Sequence, residues 1–345
     1  MKKRSVFIGL LAGLLFGVAT PMSKIMLSQL NGFQLAGLLY IGAGLAFFPF
    51  IIKNRKNEFT ALKQTGKKKH LAGVILFGGI LGPLFLMIGL KTANAMSVSI
   101  WLNMELVATA ILGILIFKDH LDRYAIFGVI LTLGAGIIIS IQEPNSGVIS
   151  AVFILMACIS WGFDNHLSAI IDGVSPQTIT FVKGVFGGLT NLIIGMFLND
   201  WQIQIHYIPI ALLLGVFSYG ISIVLYVTSA QNLGATRSQI LFSTAPFWGI
   251  FAAWIFLGES INLTVIFSFI VLAFGIILTN LASHGHNHSH KGMIHIHLHS
   301  HDDGHHDHPH LDVVEPGTKH SHIHEHKVYK HTHKHLPDIH HRHEH

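Results

Sequence analysis

Ten mostly apolar stretches follow one another, at roughly 5–27, 33–52, 71–90, 96–117, 124–141, 148–171, 177–198, 207–227, 238–257 and 263–281. Each comes close to the ~20 residues that an α-helix needs to cross the hydrocarbon core of a bilayer. Lipid offers the backbone no hydrogen bonds, so these stretches must be helices that satisfy their own N–H and C=O groups. The connections are too short to hold a soluble domain. Charge agrees with this reading. Only 11% of the 345 residues are charged, against about 25% in a soluble domain, and the first 283 positions hold nine of the 17 acidic residues. An ordinary cytosolic or secreted globular protein is thereby excluded. The first run follows Met1-Lys2-Lys3-Arg4 but is longer than a signal-peptide core, and Gly17-Val18-Ala19-Thr20-Pro21 is a poor cleavage site. It therefore reads as a span. One cysteine, Cys158, rules out a disulfide framework and a cysteine zinc site. The basic residues sit beside apolar runs and form no face of their own, which points to a lipid bilayer as partner and not to nucleic acid.

Lysine and arginine set the expected orientation, because short basic loops stay in the cytoplasm. With the N-terminus inside, 19 of the 22 basic residues fall on cytoplasmic segments. The exceptions are Lys24, Lys91 and Lys183. Ten spans return the C-terminus to the same side. The expectation is a multi-pass protein of the plasma membrane with both termini cytoplasmic.

The two halves repeat. Phe16-Gly17 corresponds to Trp161-Gly162, and Gly44-Leu45 to Gly188-Leu189. Asn94 to Leu121 runs parallel to Gly234 to Ile261, which places Asp119 opposite Glu259. Leu133, Gly136, Ile137 and Ile138 match Leu272, Gly275, Ile276 and Ile277. Five spans is an odd number, so the second half enters the membrane inverted. The expected fold class is an all-α polytopic membrane protein with ten transmembrane helices in two inverted five-helix repeats. The halves are 1–141 and 148–282, followed by a disordered cytoplasmic tail over 283–345. In such proteins the solute site lies between the repeats near the midplane.

Trp161-Gly162-Phe163-Asp164-Asn165 resembles the motif that opens a repeat in the EamA family of the drug/metabolite transporter superfamily. Ala245-Pro246-Phe247-Trp248, running on to Phe256-Leu257-Gly258-Glu259, resembles the family too, as does the lead-in Leu233-Gly234-Ala235-Thr236. The resemblance covers about 5–282 and leaves out the tail. The first half departs from the pattern with Phe16 and Asp119 where the family favours Trp and Glu, and Leu106 stands opposite Pro246. The resemblance implies a ten-helix carrier of small metabolites, often an exporter.

An ionisable group at bilayer depth is costly, so it faces a cavity or a partner. Asp164 lies seven residues before the cytoplasmic end of its span, and Lys183 six residues after the start of the next. At about 1.5 Å per residue the two sit at one depth and can pair. Such a pair either fixes two helices or opens to admit a solute bearing an amine or carboxylate. Asn165 lies between Asp164 and His166. His166 is about 200° round the helix from Asp164 and beside Gly162 and Ala169, which suits a packed, hydrogen-bonded side chain more than a ligand. Glu105 is near mid-bilayer, with Trp101 and Thr109 at i−4 and i+4. Burial disfavours a bare charge, so Glu105 is either a proton-coupling group or cation ligand, or a carboxyl held between helices. Lys24 reads as structural, close enough to the boundary to snorkel. Pro21, Pro83 and Pro246 interrupt spans, as kinks or at binding sites. The candidate solute-binding or coupling residues are Glu105, Trp101, Asp164, Asn165, Lys183 and Pro246.

Of 27 histidines, 23 fall within the last 62 residues. His284, His286, His288 and His290 alternate with other residues, as do His295, His297, His299 and His301. The pattern returns in His320, His322, His324 and His326 and in His331, His333 and His335, while His305, His306, His308 and His310 add denser groups. Alternate residues of an extended chain share a face, so several imidazoles can surround one ion. Imidazole without thiolate suits Zn, Ni, Co or Cu(II). Binding needs the neutral ring and weakens below about pH 6.

Three functions fit to different degrees. The favoured one is a secondary carrier of a small metabolite, such as an amino acid or related solute, that needs no cofactor and whose tail buffers or senses metal. The alternative is a divalent-metal carrier (Zn, Ni or Co) whose tail collects or delivers the ion. The third is a membrane metal store, which leaves the repeated body unexplained. No nucleophile–base arrangement or phosphate loop points to an enzyme. Homo-oligomerisation is compatible with the sequence.

Overall fold

The computed structural model describes residues 2–64, 66, 68–117, 123–141, 145–171, 173–198, 204–233, 235–281, 285–290, 293–299, 320–326 and 329–334. Among these, eight helices are long and apolar enough to cross a membrane: Val6–Met26, Gly32–Lys63, Lys68–Thr92, Ala95–Phe117, Gly147–Ile170, Pro176–Phe197, Tyr207–Leu233 and Ser238–Leu257. Two shorter apolar helices, Ile126–Ser140 and Leu263–Leu278, complete the set. Numbered in chain order they are spans 1–10, with the shorter two as spans 5 and 10. The all-α, ten-helix fold expected above is present.

Local signals fix the helix ends. Before span 2, Gln34 N–H donates to Asn31 Oδ1 at 2.8 Å and Asn31 N–H to Gln34 Oε1 at 3.1 Å, so two orphan donors are satisfied reciprocally. Asn262 accepts from Val265 N–H at 3.0 Å to start span 10, and Ser175 accepts from Thr178 N–H at 3.2 Å to start span 7. Gly258, with φ +65°, closes span 9 in the left-handed conformation that glycine adopts without strain. The helix of span 2 runs to Gln64 with a kink at Asn54 (φ −106°, ψ 15°). It passes well beyond the apolar run because its polar extension, Lys53 to Gln64, is helix-permissive.

Span packing shows the two-fold relation between halves. Span 2 packs along span 7, span 5 along span 10, and span 4 against span 9. Each of these pairs maps onto itself when every span is exchanged with the one five places away. Further contacts occur in exchanged couples. Span 3 meets span 6 as span 8 meets span 1; span 3 meets span 7 as span 8 meets span 2; span 4 meets span 6 as span 9 meets span 1. Irregularities repeat as well. Span 3 carries a π-helical segment at Val74–Leu81 and span 8 one at Gly215–Ile221. The α-helix of span 4 stops at Trp101 and resumes at Met104, and that of span 9 stops at Phe242 and resumes at Ala245. The repeat is thus structural and extends to these irregularities, although the π-helical segment Gly113–Phe117 of span 4 has no counterpart in span 9.

Small residues allow the closest approaches. A Cβ on Gly184 of span 7 would lie 2.6 Å from Gly44 N and 2.7 Å from Tyr40 O of span 2. The two backbones touch where glycines face each other, as lipid-embedded helices require in the absence of a hydrophobic drive between them.

The tail forms a separate unit. Four strands are described: β1 (Gly285–His290), β2 (Met293–His299), β3 (His320–His326) and β4 (Tyr329–Lys334). β1 pairs antiparallel with β4, and β2 with β3. The register sets His286 opposite His333 and His288 opposite His331. In the second ladder it sets His295, His297 and His299 opposite His324, His322 and His320. His284, His301, His305, His306, His308, His310 and His335 lie outside the described residues.

Candidate functional site

Two cavities meet near the middle of the membrane body. The first, the ion-pair chamber, is lined by Phe16, Tyr40, Glu105, Trp161, Asp164, Asn165, Ser168, Lys183, Ile223, Tyr226, Val227 and Phe242. The second, the amide chamber, lies among Phe16, Gly17, Thr20, Ser99, Leu102, Asn103, Glu105, Gln239, Phe242, Ser243, Ala245 and Pro246. Phe16, Glu105 and Phe242 line both. The Phe16 and Phe242 rings lie 5.0 Å apart, and Trp161 and Tyr219 stand against Phe16 at 6.0 and 5.4 Å. An aromatic partition therefore separates the chambers.

In the ion-pair chamber Lys183 Nζ donates to Asp164 Oδ2 at 2.6 Å, with both side chains buried. Ser168 Oγ donates to the other oxygen, Asp164 Oδ1, at 3.1 Å. The pairing expected from equal depth is present. The π-helical turn of span 3 makes room for it. Gly78 lies against the Asp164 carboxylate with no space for a Cβ, and its carbonyl accepts from Tyr40 Oη at 2.5 Å. A widened helix turn at a functional site is a recurrent device.

Asn165 is the hub between the chambers. Its Nδ2 donates to Glu105 Oε1 at 2.8 Å, Thr109 Oγ1 at 3.2 Å and Gln239 Oε1 at 3.2 Å. Spans 4, 6 and 9 are thus joined by one buried amide. Glu105 has one oxygen in this network and lies on the wall of both chambers. Pro246 lies in the first turn of the resumed helix of span 9, where a missing N–H costs nothing, and lines the amide chamber.

Trp101 is not brought to this site. Its Nε1 donates to Ser140 Oγ at 2.8 Å and to Gly136 O at 3.2 Å on span 5. The reason is the break in span 4. Asn103, Glu105 and Leu106 N–H groups bond to Ile100, Leu102 and Asn103 carbonyls, three residues back. Each such step turns the chain by about 120° in place of about 100°, so the i−4 relation no longer holds a common face. His166 is packed, as its neighbours implied: its Nε2 is 2.9 Å from Thr109 O and its ring stacks on Phe117. Lys24 Nζ donates to Leu90, Lys91 and Ala93 carbonyls at 2.8–3.0 Å, ending span 3. Asn103 and Gln239 were not singled out from the sequence. Both are neutral amides, and their only signal there is a strongly polar side chain within an apolar run.

Glu259 follows the C-terminal cap of span 9. Its two carboxylate oxygens accept from Ala95 and Met96 N–H at 2.7 and 2.8 Å, capping span 4 from the end of span 9. Replacing it, Glu259→Ala, is expected to cost about 1–2 kcal/mol, as loss of a charged cap does. Thermal unfolding of the purified protein reads this as a lower Tm, with Glu259→Gln in between.

Half-helices meeting between inverted repeats, around buried charges and a partitioned cavity, define a membrane transporter. The EamA-like transporter family matches residues 3–141 and again 148–281, and the chain belongs to that family. An uncharacterized transporter of Methanothermobacter thermautotrophicus is 27% identical over 289 residues, covering 77% of this chain and 83% of that one. Another, of Clostridium kluyveri, is 24% identical over 296 residues, covering 81% and 93%. A solved crystal structure superposes with TM-score 0.63 over 81% of this chain and 98% of its own; at 14% identity it shows the fold alone.

Proposed function

We propose that this chain is a secondary carrier of a small metabolite, such as an amino acid or related solute, working by alternating access across the Phe16–Phe242 partition. The observation that carries the reading is the Asp164–Lys183 pair on the wall of an aromatic-lined chamber. Opposite charges side by side can exchange their mutual bond for the amine and carboxylate of one zwitterionic solute. Such an exchange lets a polar solute enter lipid depth without an unpaired charge, since each ion keeps a partner throughout. The bias of the basic residues supports an orientation with the ion-pair chamber toward the cytoplasm and the Glu259 cap toward the outside. In that orientation the solute enters from the cell interior, as in an exporter.

The tail is proposed as a metal buffer or sensor. Alternate histidines of an extended chain share a face, and imidazole without thiolate suits Zn, Ni, Co or Cu(II). Among the described residues no three His, Cys, Asp or Glu side chains gather. The test is metabolite and metal profiling of cells lacking and overproducing the protein, grown across Zn, Ni, Co and Cu concentrations. The expected result is a change in one class of small amphoteric metabolites with metal content and tolerance unchanged. A change in metal content alone would overturn the reading in favour of a metal carrier.

A further inference from the structure

The amide chamber has a chemistry that solute binding at the ion pair does not use. Its wall holds one carboxylate, Glu105, and no basic side chain. Five neutral side chains add oxygen atoms: Thr20, Ser99, Asn103, Gln239 and Ser243. Two of the hydroxyls have spent their protons on the backbone. Ser99 Oγ donates to Ala95 O at 2.8 Å, and Ser243 Oγ to Gln239 O at 2.7 Å. Their remaining valences toward the chamber are lone pairs. The helix break adds to this, because Asn103 N–H bonds Ile100 O in place of Ser99 O. The surface is thus rich in acceptors and carries one unit of negative charge when Glu105 is ionised.

Asn103 gives an independent sign that something binds there. It is 1% exposed, lines the chamber, and has no hydrogen-bond partner for either Oδ1 or Nδ2. A buried amide left with both polar atoms unsatisfied costs roughly 1–3 kcal/mol for each group. Its place is also specific. It sits in the break of span 4, and its counterpart in the repeat, Ser243, sits in the break of span 9. Unwound segments of paired discontinuous helices supply oxygen ligands to coupling ions in other transporter folds.

We propose that the amide chamber is a binding site for one monovalent cation, held by the Glu105 carboxylate and the Asn103 carbonyl at the facing breaks of spans 4 and 9. One acid matches one positive charge, and neutral oxygens complete the shell. The same donors would accept Na⁺ or a primary ammonium group, so the test separates the two. Glu105 also borders the ion-pair chamber and, through Asn165, touches the hub of the site. An ion bound here therefore acts on the residue that both chambers share, as a coupling ion must.

The test uses the full-length purified protein without added solute. Its Tm is measured in NaCl, KCl or ethylamine hydrochloride against choline chloride at equal ionic strength. A cation that binds the folded state at 100 times its dissociation constant should raise Tm by roughly 3–8 °C. Na⁺ is expected to do so; a rise with ethylamine alone would assign the site to an amine instead. Asn103→Ala and Glu105→Gln are each expected to abolish the rise. Asn103→Asp adds a second carboxylate and should lower the half-maximal cation concentration by about tenfold or more; it carries the test if the alanine variant does not fold. The double variant Asp164→Leu/Lys183→Met should keep the rise, which distinguishes this site from the solute chamber. Equal Tm in all four salts, or a rise untouched by Asn103→Ala and Asn103→Asp, would overturn the proposal.

Discussion

Replacing Lys183 by methionine should lower Tm by roughly 5–10 °C and abolish transport, because Asp164 is then left as a buried charge without its partner at a cost of about 3–5 kcal/mol. Ser168, which donates to that carboxylate at 3.1 Å, is neutral and cannot replace the charge of Lys183. Removing both charges together has a different outcome for stability. Asp164→Leu combined with Lys183→Met replaces the pair by apolar groups of similar volume, an exchange that is often neutral or stabilising. The double variant is therefore expected to regain most of the lost Tm while transport stays absent. Recovery of transport along with stability would show that the pair only ties spans 6 and 7 together. Uptake into vesicles measured beside thermal unfolding separates the two outcomes.

Gly184→Val should be strongly damaging at the interface of spans 2 and 7. Its side chain would have to occupy space already filled by the backbone of Tyr40 and Gly44. Backbone cannot give way as the end of a flexible side chain can, so spans 2 and 7 must separate. Overpacking of this sort costs about 1–3 kcal/mol or more. Here it also pulls Tyr40 from Gly78 and shifts Lys183, the residue before Gly184, relative to Asp164. The expected result is poor recovery of folded protein and no transport in what remains. Gly134→Val is the control: a Cβ there has open space around it, and it should leave both yield and activity near those of the wild type.

The membrane architecture was legible because lipid imposes a rule that sequence must obey at every span. A run of apolar residues with few charges has no other way to fold at that depth. The Asp164–Lys183 pair was legible for a related reason: two opposite charges at one depth on successive helices have each other as the cheapest partner. The inverted repeat was legible in the co-linear matches around Phe16-Gly17 and Trp161-Gly162. Other features follow from backbone geometry that residue types do not announce. The tightened turn at Leu102–Asn103 moves Trp101 off the face of Glu105 toward span 5. The π-helical segments that seat Gly78 against Asp164 have no sequence period of their own. Gln239 and Asn103 carry no charge and so lack the signal that marks ionisable groups, although an unsatisfied amide at bilayer depth is also costly. Tyr40 and Tyr226 reach the chamber from spans read as plain apolar helices.

The central claim is that one partition, Phe16 against Phe242, divides a chamber open to one face of the membrane from a chamber open to the other. The most direct measurement is cysteine accessibility in oriented vesicles. The buried Cys158 is first replaced by alanine, and single cysteines are then placed at Thr20 in the amide chamber and at Ile223 in the ion-pair chamber. A membrane-impermeant maleimide is applied from each side in turn. The account predicts that Thr20→Cys reacts from the face bearing Glu259 and Ile223→Cys from the opposite face. Labelling of both from the same face would contradict it.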